Sequence, residues 1–399
     1  MSSALIIRGS GGLSVLSHAM AHAVSYSVKR AIRFPYVPLP KAAVRSFKLC
    51  DAAEVPAVNP FIWDRHLPRI RSAARYTAEH TITHFIRRPA FQFRPVMAHW
   101  LRDATLLDGS VYSRGYRHEL RPWGRRSRLG FKVAGPVAEI EQGALASTSL
   151  GSTWWGHWLE DEVPLQMLAE QYGPPVAHDR ETYRDESVFR TLLGVAEPAR
   201  FGVALFKELL VLDDHAQNPL KTARYHVLRG RASHRPAGPS RLFLSRGASG
   251  ARRILVNEAE IRARLEREGF TTVDVGAVSA DELIAACSGA SVVVSVEGSH
   301  LAPLLYLMRD FGTMVILNPP YQVQTTVATV ALFCGISSGM FICEPDGESR
   351  TDFVADPDEV VRFVDEAVAA SQAGKPRVEQ FLRTVLALTD WTPAGAVQL

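Results

Sequence analysis

The chain has no apolar run approaching the roughly 20 residues that cross a bilayer, so no spanning helix is expected. Its first residues lack the basic, apolar and small-residue succession of a secretory leader, and no leader is expected. Only four cysteines occur, Cys50, Cys287, Cys334 and Cys343, at no metal-binding spacing. They read as reduced core residues of a cytosolic protein. The early run Gly9-Ser-Gly-Gly12 has Ser14 where a dinucleotide fingerprint has its third glycine, and Lys29 to Phe34 is basic where ribose recognition needs an acid. A nicotinamide cofactor is therefore not expected. His18 and His22 lie four apart without a third ligand, which falls short of a zinc motif.

What is present is a globular composition, 47% hydrophobic and 22% charged over 399 residues, enough for two domains with their own cores. The net charge of +4 hides an asymmetry: residues 1–135 hold 22 Lys/Arg against 7 Asp/Glu, and the remainder 23 against 34. Basic surface of that kind suits anionic lipid or an acidic glycan, or pairs with the acidic half of the same chain. Nucleic acid is not expected, because the arginines are dispersed and no binding motif accompanies them. Residues 13 to 33 read as an amphipathic helix ending in Lys29, Arg30 and Arg33, able to rest on a membrane surface or on the protein itself. Residues 34 to 72 are punctuated by prolines and read as an irregular wrapping segment. Asp108-Gly109 between apolar runs predicts a hairpin over 105–120.

The richest stretch is 241–320, where four apolar strands alternate with three helical patterns through short turns. Such alternation makes a parallel, doubly wound sheet with its ligand at the carboxyl ends of the strands. Two segments fall at such ends: Arg246 with Arg252 and Arg253, and the turn Glu297-Gly298-Ser299-His300 feeding a helix. Arginine forks match phosphate geometry, and free N–H groups at a helix start favour an anion. A diphosphate site without a P-loop lysine follows.

A second stretch, Trp154-Trp-Gly-His157-Trp-Leu-Glu160-Asp161-Glu162, sets a histidine beside three carboxylates and three indoles. Indole faces stack on sugar rings, and a neighbouring carboxylate orients an imidazole as a base. The same residues also suit a helix start whose tryptophans fill a core. Asp213-Asp214 after an apolar strand reads as a loop cap or acceptor contact in preference to a metal site.

Taken together, Ser245-Arg246, the Arg252-to-Glu258 run, Gly269-Phe270, the Ala290-to-Val296 strand with its small-residue turn, and Val315-to-Pro319 resemble glycosyltransferase family 61. That family holds bacterial capsular-polysaccharide transferases and eukaryotic protein O-GlcNAc and xylosyl transferases. Its His-Trp-Leu element maps onto His157, Trp158, Leu159, Asp161 and Pro164; its His-Gly-Ala turn is replaced here by Glu297-Gly298-Ser299, followed by His300. The resemblance implies an α/β, GT-B-like fold: two doubly wound domains facing a cleft, the C-terminal one with a mainly parallel sheet. The expected divisions are an acceptor-side domain over 1–217, a linker over 218–240, a nucleotide-sugar domain over 241–375, and a helix over 376–399 returning to the first domain.

It further implies an inverting transferase, independent of metal and cofactor, moving a sugar from a nucleotide diphosphate, UDP favoured, to a glycan or lipid-linked glycan in surface or capsular polysaccharide synthesis. A cytoplasmic site, peripheral at the inner face of the membrane, goes with that role. The expected catalytic residues are His157 and Asp161; donor contacts are Arg246, Arg252, Arg253, Asn257, Glu297, Gly298, Ser299 and His300; acceptor contacts are Trp154, Trp155 and Trp158. Two rivals stay open, a non-catalytic glycan or nucleotide-sugar-binding subunit of an assembly complex and a sugar-nucleotide epimerase.

Overall fold

The computed structural model describes residues 7–8, 12–31, 37–72, 76–121, 137–247 and 252–392. Most of the Gly9-to-Gly12 run and of the loop after Gly247 lies outside the described residues. The chain forms two compact units, one of Met1–Ala52, Phe93–Arg224 and Trp391–Leu399, the other of Ala53–Gln92 and Tyr225–Asp390.

In the first unit, helix α1 (Gly12–Ala31) lies on a sheet built around strands β1 (Val96–Leu107), β2 (Val137–Leu145) and β3 (Val203–Asp213). Val15, Ala19 and Ala23 of α1 pack on Leu107, Tyr112 and Val203 of the protein's own sheet, while Met20 and Val24 are exposed. Strand β3 runs antiparallel to β1 and parallel to β2. This sheet is therefore mixed, where a doubly wound one was expected. The cause is local: Asp108 and Gly109 both take positive φ, 49° and 65°, and that twist folds β1 straight back on Ser110–Ser113 as a hairpin. Arg114 and Gly115 repeat the device, with φ of 48° and 86°, to add Tyr116–Glu119.

Helix α2 (Pro219–Ala232) occupies much of the expected linker, and the division between units falls within it. Its polar sequence hid the helix. Lys221, Thr222 and Arg224 are all fully buried, and the two cations are held by carboxylates instead of water.

The second unit holds five strands, β4 (Arg241–Ser245), β5 (Thr271–Asp274), β6 (Val292–Val296), β7 (Thr313–Asn318) and β8 (Ser337–Ile342). Their order is β5-β4-β6-β7-β8 with every neighbour parallel. From β4 the chain goes to one side for β5 and then crosses to the other for β6. In doubly wound sheets the ligand crevice lies where that direction reverses, which here is at the carboxyl ends of β4 and β6. Phe243, Val294, Val315 and Phe341 form the core beneath, covered by Val360, Phe363, Val364 and Ala367; each Val or Phe side chain among them contributes about 1.5–3 kcal/mol. All four cysteines are buried, and none of them forms a disulfide.

The covering helix, α3 (Pro357–Leu386), is one element of 30 residues that spans the expected division at 375–376, and it belongs wholly to the second unit. Its buried stripe, Val360, Val364, Ala367, Ser371, Val378, Leu382 and Val385, keeps its spacing across Pro376, and packing outweighs the lost N–H. Beyond it, Trp391 joins the first unit, where its indole donates to Gln171 Oε1 at 2.8 Å. Residues 53–92, expected with the N-terminal domain, pack with the second unit. Phe61 lies alongside β8, its N–H donating to Ser338 O and its carbonyl accepting from Met340 N, both at 2.8 Å.

Candidate active site

In the first unit the segment from Trp155 to Ala169 is helical throughout, but Trp158–Glu162 is a π turn, with Val163 N–H bonded to Trp158 O. Wide turns of this kind recur at functional sites because they re-aim side chains. Here the turn brings ligating atoms of His157, Glu160 and Asp161 within 4.8 Å of one another. His157 Nδ1–H donates to Asp161 Oδ2 at 2.8 Å, and Asp161 Oδ1 accepts from Lys221 Nζ at 3.0 Å. Lys221 is fully buried near the start of α2, where Asn218 Oδ1 caps its N–H at 2.8 Å.

Burial alone would raise the Asp161 pKa, but the Lys221 charge and the His157 hydrogen bond outweigh it and hold the carboxyl at about 2. For His157 burial works downward, and the Asp161 hydrogen bond with the Glu160 and Asp161 charges overcomes it, leaving the imidazole above its ordinary value. Nδ1 is committed to Asp161. Nε2 has no partner among the described residues and is the atom left to take a proton.

Beside Asp161 opens a cavity of about 130 Å³, lined also by His118, Glu119, Asp214 and His215. Asp214 is buried against Arg224 at 2.6 Å and Asn218 at 2.7 Å, a structural pairing, whereas Asp213 is half exposed near His215. The three tryptophans part company. Trp154 is 39% exposed, with its ring 5.8 Å from that of His157. Trp158 is fully buried, stacked on Trp155 at 4.9 Å with Arg190 over its face. An indole sealed in the core cannot meet an acceptor, which corrects the expectation for Trp158 and leaves Trp154 as the exposed member.

In the second unit Arg246 follows β4 and Glu297-Gly298 follow β6, at the two edges of the crevice. Their approach is close: a Cβ on Gly298 would stand 3.1 Å from Arg246 Nε and 2.9 Å from His300 Nδ1. Arg246 is buried, its Nη1 donating to Arg253 O at 3.3 Å. Arg253 pairs with Glu297 and donates from Nε to Gln322 Oε1 at 3.1 Å. Burial raises the Glu297 pKa against the pull of Arg253 and Arg246. Glu297 thus offsets a guanidinium.

The expected helix over 301–309 is reduced to a single turn, Ser299–Leu301, and a four-residue helix, Leu304–Leu307. A helix dipole this short adds little. What remains is the turn itself, in which the N–H groups of Gly298, Ser299 and His300 find no acceptor among the described residues. His300 gives no charge, since burial and the two arginines lower its pKa to about 3. Ser295 donates its hydroxyl to Leu244 O at 2.7 Å, so His300 Nε2–H donates to Ser295 Oγ at 2.8 Å and holds the turn in place.

Two expected donor contacts lie elsewhere. Arg252 is exposed and paired with Asp352 at 2.8 Å. Asn257 uses both ends of its amide on Ala355, donating to its carbonyl at 2.8 Å and accepting from its N–H at 3.3 Å. Lys221 and Gln322, which complete the two sites, went unnoticed in the sequence; the helical cap at Asn218 was the one available signal for Lys221.

No curated protein matches the chain. Among solved structures a mutant form of enoyl thioester reductase from Candida tropicalis is similar at 14% identity and a TM-score of 0.16, over 48% of this chain and 61% of that one. So poor a superposition says nothing about fold or chemistry here. Residues 155–316 match the model of the family described as Glycosyltransferase 61. Those residues, less than half of the chain, run from the tryptophan turn to β7 and include His157, Asp161, Lys221, Arg246 and the Gly298 turn, so this stretch is similar to the glycosyltransferase 61 family.

Proposed function

We propose that the protein transfers a sugar from a nucleoside diphosphate, UDP favoured, to a glycan hydroxyl, with inversion and without a metal ion. The observation that carries the donor half is the packing of Arg246 on Gly298 at the reversal point of a doubly wound sheet, beside three N–H groups without acceptors among the described residues. A diphosphate there meets cation and N–H donors together. The parallel second unit supports a GT-B-like donor domain; the mixed sheet of the first departs from that pattern.

In the reaction the acceptor hydroxyl gives its proton to His157 Nε2 as its oxygen bonds the anomeric carbon. The bond from that carbon to the diphosphate breaks, and the electron pair stays on the phosphate oxygen. Asp161 and Lys221 hold the ring and offset the imidazolium that forms. Lys221 also supports the metal-free reading, since its ammonium already answers the carboxylate that a divalent ion would need. A role in surface or capsular polysaccharide synthesis, with a cytoplasmic setting, remains part of this proposal and rests on the family alone.

The test is calorimetric titration with UDP followed by turnover of UDP-sugars in excess chelator. Binding with release of free sugar is expected. UDP binding without any sugar release would favour the non-catalytic subunit, an isomerised donor would favour the epimerase, and activity restored only by Mg²⁺ or Mn²⁺ would return the His157, Glu160 and Asp161 cluster to a metal role.

A further inference from the structure

A cavity of about 390 Å³ lies within the second unit, in the range of small-ligand sites, and no step of the transfer uses it. Its wall is formed by the start of β8 (Ser337, Ser338), by Phe61, Phe85 and Phe91, and by Ala367, Ala370 and Gly374 of α3. In a parallel sheet the start of one strand lies at the end opposite the carboxyl termini, so this cavity is at the far edge of the sheet from Arg246 and Gly298.

The lining is apolar apart from hydroxyls, the Asn59 amide and three arginines, Arg87, Arg88 and Arg377, and among the described residues no carboxylate lines it. Arg87 is paired with Asp64. Arg88 has no such partner among the described residues. Its guanidinium lies over Phe91 at 4.4 Å and Phe85 at 5.6 Å, and its two hydrogen bonds both leave from Nη2, to Phe85 O at 3.1 Å and Thr329 Oγ1 at 3.2 Å. Nε and Nη1 keep their donors. Burial pushes the Arg88 pKa down to about 10. A half-buried cation kept without a counter-ion in an apolar cavity is costly unless an anion completes it.

We infer that this cavity binds a small amphipathic anion, a carboxylate on an aliphatic or aromatic body, with the carboxylate on Arg88 and the body among Phe61, Phe85 and Phe91. The probes are octanoate and 4-phenylbutyrate against the full chain, with octanol and inorganic phosphate as controls, read by thermal shift and calorimetry. A saturable rise in melting temperature with either carboxylate is expected, several-fold larger than with either control. Arg88→Met should weaken octanoate about tenfold or more. Ala370→Leu, which fills the cavity and leaves Arg88 intact, should do the same, and both variants should bind UDP as the parent does, which reports an intact fold. Octanol equal to octanoate, phosphate equal to octanoate, or full octanoate binding in either variant would overturn the assignment.

Discussion

Around His157 charge is answered at each step: Lys221 faces Asp161, Asp161 faces His157, and one atom, Nε2, is left over. Around Gly298 two guanidinium groups share the nearby Glu297, and three backbone N–H groups find no acceptor among the described residues. The first arrangement can take up a proton without leaving a bare charge in a buried place. The second, on the proposed reading, receives the diphosphate. Burial and ion pairs occur in both, so neither feature tells a proton acceptor from a phosphate receptor; the difference lies in which valences stay open.

The largest expected effect separates the two regions outright. His157→Ala should lower kcat by about 10²–10⁴-fold while UDP affinity stays within about twofold, measured by steady-state turnover and calorimetry on one preparation. A variant with parental kcat would remove His157 as the base. Asp161→Asn comes next. It leaves Lys221 buried without its partner, at a cost of about 3 kcal/mol or more, seen as a lower urea midpoint. It also lowers the His157 pKa by removing the Asp161 charge while Glu160 remains, so the acid limb of kcat against pH, above 6.5 in the parent, should move down.

The pH dependence of stability follows with its sign. His157, raised, contributes in full below its ordinary 6.5 and loses that contribution as pH climbs through the folded value. Asp161, depressed to about 2, contributes above its ordinary 3.8 and loses it as pH falls towards 2. The parent should therefore be best supported by this site between roughly pH 4 and 6.5, and Asp161→Asn should flatten both flanks. A profile unchanged by the substitution would mean the pair does not set it.

Arg246→Ala should act on the other region alone, weakening UDP by about tenfold to a hundredfold with secondary structure intact by circular dichroism. Gly298→Ala is the milder probe of the same place. Its φ of 164° is open to any residue, so the effect is purely steric: the new Cβ meets only the ends of Arg246 and His300. These can yield by a few tenths of an ångström, and a loss of roughly threefold to tenfold in UDP affinity is expected, in proportion to how tightly the donors must converge. Parental affinity in both variants would detach the turn from the phosphates.

Much of the donor region was legible before any coordinates, because its signals are local. Apolar runs broken by Gly and short turns gave β4 to β7 their places, and Asp108-Gly109 announced its hairpin. Strand β8 was not legible, since Ser337-Ser338-Gly339 has poor strand propensity and is held by packing; a Cβ on Gly339 would stand 3.1 Å from Ala367 and Phe363. Helix α2 and Lys221 were hidden because a buried ion pair removes the apolar periodicity on which helix recognition depends. The π turn is invisible to a reading based on a period of 3.6, although it decides where His157 and Asp161 meet. Trp158 misled for the opposite reason: an indole beside a candidate base looks like a sugar platform, and only burial shows that it is core.

The smallest expected effect tests where the donor region stops. Arg252 and Arg253 are adjacent in sequence, yet the chain sends them to different places: Arg253 to Glu297, and Arg252 outward to Asp352, with 65% of its side chain exposed. An exposed pair of this kind is screened by solvent and holds its geometry loosely. Arg252→Ala should leave UDP affinity within about twofold at low salt and at high salt alike. A loss comparable to that of Arg246→Ala would mean that Arg252 leaves Asp352 when the nucleotide binds, and the receptor region would then extend past the crevice edge to include the start of the Arg252-to-Glu258 run.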